Sequence, residues 1–188
     1  MSAGGGHCVI AVPVPELDDI VRERTVRYDA SFLSADPAFV HAHVTLLAPW
    51  IDDPTLDDLL TVARVLATEP PFAFALAEVG EFPGGTLYLV PEPSGPFTRL
   101  TARLAEAFPQ TQPYDGLYPE LVPHLTLEHR ATGATTDSLR TELSGRLPVQ
   151  TQADRVDLQW WANDDCHVRH TWRLGDEQRP DRPQEGLS

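Results

Sequence analysis

The chain has 188 residues, 41% of them hydrophobic, enough apolar material for one packed domain and too much for a wholly disordered chain. Twenty-eight Asp and Glu against 14 Arg, with no Lys, give a net charge of −14, which repels long polyanions and argues against duplex DNA as a partner. No basic stretch leads into an apolar core at the amino end, and no window approaches the roughly 20 apolar residues of a membrane span, so a cytoplasmic protein without membrane contact is expected.

In chain order, Cys8 to Val14 reads as an apolar strand ending at Pro15, which opens a helix carrying Leu17, Ile20 and Val21 toward the core. A strand over His43 to Leu47 follows. Asp53-Pro54 then caps a helix whose Leu56, Leu59, Leu60, Ala63 and Leu66 recur at helical spacing. Two strands, Phe72 to Val79 and Thr86 to Val90, flank the turn Pro83-Gly84-Gly85 as a hairpin. An amphipathic helix over Phe97 to Phe108 uses Leu100, Leu104 and Ala107. A strand over His124 to Glu128, a short helix near Asp137 to Ser144, and two long strands, Val149 to Trp161 and His167 to Leu174, complete the order. The expected unit is a single domain over residues 1–174, followed by a Pro-, Gly- and charge-rich tail over 175–188 with too little apolar content to pack. Cys8 and Cys166 are too few for a disulfide framework and read as small, reduced core residues.

One pattern occurs twice. His43-Val44-Thr45-Leu46 returns 81 residues later as His124-Leu125-Thr126-Leu127, each copy within a β-favouring run. On a strand, alternate side chains share a face, so His43 and Thr45 project together while Val44 and Leu46 pack behind; the same holds for His124 and Thr126. A single His-x-Thr carries little information, but two copies in opposite halves of one chain suggest a shared site. Two imidazoles can exchange protons near neutral pH, and two hydroxyls can bond an oxyanion.

The segments Ala42 to Trp50 (AHVTLLAPW) and Tyr118 to His129 (YPELVPHLTLEH) resemble the motifs of the 2H phosphoesterases, the superfamily of the 2'-5' RNA ligase-like proteins and cyclic phosphodiesterases. The resemblance runs from about Cys8 to Leu174. It implies an α+β, bilobal fold: two pseudo-symmetric lobes with antiparallel sheets around a central cleft, helices outside, and one motif strand from each lobe. It also implies a metal-independent phosphoesterase, without cofactor, in which His43 and His124 act as general acid and base while Thr45 and Thr126 bind the phosphate. A small nucleotide or RNA terminus is the implied substrate, handled by a monomer.

Other residues compete for roles. His129 and Arg130 end the second motif strand, where relatives often carry a ligand-touching group. Trp50, Tyr114 and Tyr118 could offer stacking surfaces for a base at the cleft mouth, worth about 1 to 3 kcal/mol per base. Trp160, Trp161 and Trp172 read instead as core or lobe-interface residues. A metal set of His41, His43, His167 and His170 is the metallohydrolase alternative, with His170 more readily packed against its strand neighbours. A binding module that recognises nucleotides without turnover is the other alternative, although binding alone does not need two proton-transfer groups.

Overall fold

The computed structural model describes residues 5–111 and 122–176. Eight strands form one sheet: β1 (His7–Pro13), β2 (His43–Trp50), β3 (Phe72–Glu81), β4 (Thr86–Glu92), β5 (Leu125–His129), β6 (Val149–Ala153), β7 (Arg155–Trp161) and β8 (His167–Arg173). Four α-helices, α1 (Asp18–Asp29), α2 (Leu56–Ala67), α3 (Gly95–Ala107) and α4 (Thr136–Glu142), accompany them. The spatial order is β6-β3-β4-β5-β2-β1-β7-β8, with every neighbouring pair antiparallel. Four strands therefore lie on each side of the β5/β2 boundary, and the two motif strands are the innermost pair. That is the α+β arrangement of two related halves that the resemblance implied.

The halves are not consecutive in sequence. β3 follows α2 but pairs in the second half, whereas β7 returns to pair with β1 in the first. The strand expected over Val149 to Trp161 is in fact two, broken at Asp154. Ala153 pairs with Phe72, and two residues later Arg155 pairs with Arg173. In a flat sheet β6 and β7 would lie six strand spacings apart, about 29 Å, but two Cα steps reach only about 7.6 Å. The sheet must therefore curl until its outer strands approach one another at Asp154.

One face of the sheet packs with the helices into a continuous core that includes Ile10, Val12, Val44, Leu46, Leu87, Leu89, Leu125, Val156 and Leu158. Helix α2 is capped by Thr55 rather than Asp53: the Thr55 hydroxyl accepts from the Asp58 amide, and the Asp58 carboxylate accepts from the Thr55 amide. Its buried stripe is Leu59, Val62, Ala63 and Leu66, the expected helical spacing begun three residues later, and Leu56 stands 72% exposed. The hairpin closes as anticipated, with Gly85 at φ +94°, where a side chain is strained. Cys8 and Cys166 are buried free thiols.

Helix α1 belongs by sequence to the first half but is bound to the second by arginine pairs. Arg146 makes two bonds to the Asp19 carboxylate at 2.9 and 3.0 Å and a third to the Glu16 carbonyl. Arg24, 5% exposed, meets Glu142 at 3.0 Å and Glu128 of β5 at 3.7 Å. Breaking a buried pair leaves a carboxylate without its cation. Arg24→Met should therefore lower unfolding free energy in urea by about 3 kcal/mol. Adding Glu128→Leu should restore most of the loss; if the double variant is no more stable than the single one, the Arg24–Glu128 contact is not what holds α1.

Candidate active site

Among the described residues the two halves of the sheet meet through one residue pair, Val44 opposite Leu125. In this antiparallel register His43 stands across from Thr126, and Thr45 from His124. The four side chains thus form a quadrilateral with the histidines at one diagonal, where residues are about 7–8 Å apart and their Cβ atoms somewhat closer. Val44 and Leu125, fully buried, face the helices, so alternation turns all four polar groups to the opposite face. His43, Thr45 and His124 are half-buried and Thr126 is exposed.

The leucine shared by both motifs has a structural reason. Along β1 and β2, Ala11 pairs with Thr45 and Ile10 with Leu47, skipping Leu46. Along β4 and β5, Tyr88 pairs with Thr126 and Leu87 with Glu128, skipping Leu127. Each threonine is thus followed by a bulged, buried leucine that twists the strand just past the polar pair.

Both rings are held in the same way. His43 Nδ1 lies 2.7 Å from the His41 carbonyl, and His124 Nδ1 lies 2.7 Å from the Val122 carbonyl. A carbonyl only accepts, so each Nδ1 carries a proton and each Nε2 becomes the titrating atom. Burial lowers the pKa of His43 to about 4, with the His41 carbonyl working the other way and the charge of His124 lowering it further. Burial also lowers His124, opposed by the Val122 carbonyl. Among the described residues neither the Thr45 nor the Thr126 hydroxyl has a hydrogen-bond partner, so both can donate to an incoming oxygen.

Aromatic rings flank each histidine. Trp161 of β7 stands 5.6 Å from His43 and is fixed by its indole N–H donating to Gln159, whose amide in turn donates to the Val40 carbonyl. Phe82 and Tyr88 stack at 4.0 Å and meet the His124 ring at 4.9 and 5.5 Å. Tyr88 lies directly over Gly80, where a Cβ would come within 2.6 Å of its ring. Sequence reasoning missed Tyr88 and Phe82 and placed Trp161 elsewhere. Strand parity carried the signal for Tyr88, which alternates with buried Leu87 and Leu89, but its neighbour across the sheet is not written in its own segment.

Several expected ligand-binding residues have other positions. Trp50 is 3% exposed and packs edge-on against Phe108 at 5.3 Å, because β2 continues through residue 50 and turns this ring into the core. It has no face to offer a base. His129 spends both ring nitrogens locally: Nδ1 accepts from the Ala131 amide and Nε2 donates to the Gly84 carbonyl, joining the hairpin turn to the end of β5. Arg130 pairs with Glu81 at 3.0 Å. Tyr114 and Tyr118 lie outside the described residues. Of the metal alternative, His41 is buried with Nε2 accepting from the Ser34 amide, His167 pairs with Asp165, and His170 packs against Trp172. No group of metal-ligating side chains occurs among the described residues.

The lowered pKa of His43 has a consequence for stability. The unfolded imidazole binds its proton near 6.5 and the folded one near 4, so between these values the unfolded chain holds more protons. Stability should fall as pH is lowered from about 6.5 toward 4, and His43→Asn should flatten that slope. Unfolding midpoints measured across this range check it; an unchanged slope in the variant would show that His43 is not the group responsible.

A model of the 2'-5' RNA ligase superfamily matches residues 13–165. Solved structures share the fold over 91% of this chain and 99% of theirs: TT0787 of Thermus thermophilus at 21% identity and a TM-score of 0.60, E. coli LigT complexed with 3'-AMP at 15% and 0.54, and a structure described as a phosphoesterase at 16% and 0.55. LigT has also been solved with NADP+, phosphate and ATP. No curated protein sequence matches significantly. With more than three quarters of its length matched by the family model and the two-halved antiparallel fold in place, the chain belongs to the 2'-5' RNA ligase superfamily of 2H phosphoesterases.

Proposed function

We propose that the chain is a metal-independent phosphoesterase acting on a 2',3'-cyclic phosphate or 2'-5' linkage at an RNA end or in a small nucleotide. The observation that carries this reading is the pair of identically braced histidines, each Nδ1 bonded to the carbonyl two residues back, on strands that meet at Val44 and Leu125. Phosphodiester cleavage needs one base and one acid on opposite sides of phosphorus, together with donors for the non-bridging oxygens. In hydrolysis of a cyclic phosphate, one Nε2 takes a proton from the attacking water as its oxygen bonds to phosphorus. The other, protonated, gives its proton to the departing ribose oxygen. Thr45 and Thr126 donate to the non-bridging oxygens where negative charge builds. The roles of the rings exchange if the reaction runs toward ligation. The nucleotides and phosphate bound by LigT support this substrate class.

Trp161 and the Phe82–Tyr88 pair keep the imidazoles half-desolvated, so without ligand both favour the neutral form. A bound phosphodiester anion restores the charged form of one of them. Because kcat/KM reports the free protein, its pH profile should be a bell with its maximum between about 4 and 6.5, and it should survive excess chelator. His43→Ala and His124→Ala should each lower turnover of a 2',3'-cyclic nucleotide at least ~10²-fold. Thr45→Val and Thr126→Val keep the branched shape and should cost one to two powers of ten, since a charge-assisted bond contributes roughly 1.5 to 3 kcal/mol. Near-normal turnover in both histidine variants would exclude catalysis by this pair, and binding without turnover by the unaltered chain would favour a nucleotide-recognition module.

A further inference from the structure

The peptide group that orients His43 is itself held at its other end by a half-buried carboxylate. The His41 carbonyl that accepts from His43 Nδ1 at 2.7 Å belongs to the same amide as the Ala42 N–H, which donates to Asp18 Oδ1 at 3.2 Å. The His41 N–H donates to that oxygen as well, at 2.5 Å. The His41 ring adds a third contact: Nε2 accepts from the Ser34 amide, so the proton sits on Nδ1, 3.7 Å from Asp18 Oδ1. We propose that Asp18 is the positioning carboxylate of His43, acting through the 41–42 peptide: carboxylate, amide N–H, amide C=O, imidazole N–H. The inference rests on the phosphoesterase reading for its role in turnover, but not for its geometry.

A carboxylate accepting from one end of an amide polarises it, and the carbonyl at the far end becomes a stronger acceptor. A stronger acceptor at Nδ1 makes Nε2 a better base and fixes its aim, which is what the aspartate of a Ser-His-Asp triad does by direct contact. Here one peptide is interposed, so the backbone before the strand is part of the proton-transfer apparatus. Burial pushes the Asp18 carboxyl up, but the His41 side chain and the two amides outweigh it and hold the group below its ordinary value, so it is an anion across the working range. Its negative charge also favours the protonated form of His43, against the repulsion of His124 and His41. Arg22, 3.4 Å from the His41 ring, is the remaining charged neighbour. Asp18 sits on α1, one residue before the Asp19 that Arg146 clamps, so its position is set by the second half of the molecule.

Asp18→Asn keeps the shape and an accepting oxygen but removes the charge. In the folded variant the NMR titration of His43 should move down by about half a pH unit or more, with His124 unchanged as internal control. Turnover of a 2',3'-cyclic nucleotide should fall roughly 10-fold, the acid limb of the profile moving with His43, and Asp18→Glu should restore part of both. A folded Asp18→Asn protein whose His43 titrates as in the unaltered chain would overturn the assignment, whatever its stability. If the variant does not fold, the unaltered protein decides: the Asp18 carboxyl carbon and the Ala42 amide proton should both show an inflection at the His43 pKa, and flat curves would overturn it. Ring titration needs no substrate, so absence of turnover on every nucleotide tried would count against the phosphoesterase reading and leave the Asp18 result standing.

Discussion

The candidate site depends, among the described residues, on one cross-strand pair. Val44 and Leu125 join two four-stranded halves, and because strand side chains alternate, the same pairing that buries these two residues sets His43, Thr45, His124 and Thr126 on the other face. A slip of one residue at this seam would turn the polar groups into the core. That bridge is reinforced from outside: Arg24 and Arg146 tie α1 to β5, α4 and the segment before β6. Arg24 and Arg146 of this acidic chain thus serve the frame, while the polar side chains at the seam are two hydroxyls and two imidazoles.

Both halves solve the same local problem in the same way. Each histidine gives its Nδ1 proton to the carbonyl two residues earlier, and each threonine precedes a bulged leucine. Each ring also has aromatic neighbours, Trp161 on one side and Phe82 with Tyr88 on the other. The symmetry stops at these features. His43 is the ring that is tied through a peptide to a carboxylate and that is lowered to about 4. Two equivalent imidazoles would compete for one role, whereas unequal surroundings let one ring be neutral while the other carries a proton.

Much of this was legible in the sequence because strand parity is a local rule. His-x-Thr-Leu with apolar neighbours placed the four polar groups on one face, and Leu100 and Leu104 marked the buried stripe of α3. What the sequence concealed is set by pairing between distant segments. Nothing near Asp154 announces that Val149–Ala153 and Arg155–Trp161 join strands six positions apart. Trp50 follows the first motif closely, yet the continuing strand carries it into the core beside Phe108. His129 ends the second motif strand, but the hairpin turn captures its ring. Trp161 and Asp18 are distant from both motifs in sequence and reach His43 through the fold.

The proposed chemistry requires one phosphate-sized site shared by both halves. It can be tested without any assay of turnover by adding inorganic phosphate to the isotopically labelled protein while following the ring protons of His43 and His124. A shared site predicts that both signals move along one saturation curve, and that the pKa of at least one ring rises on binding as the anion favours its charged form. Movement of only one ring, or two curves with different midpoints, would contradict the account.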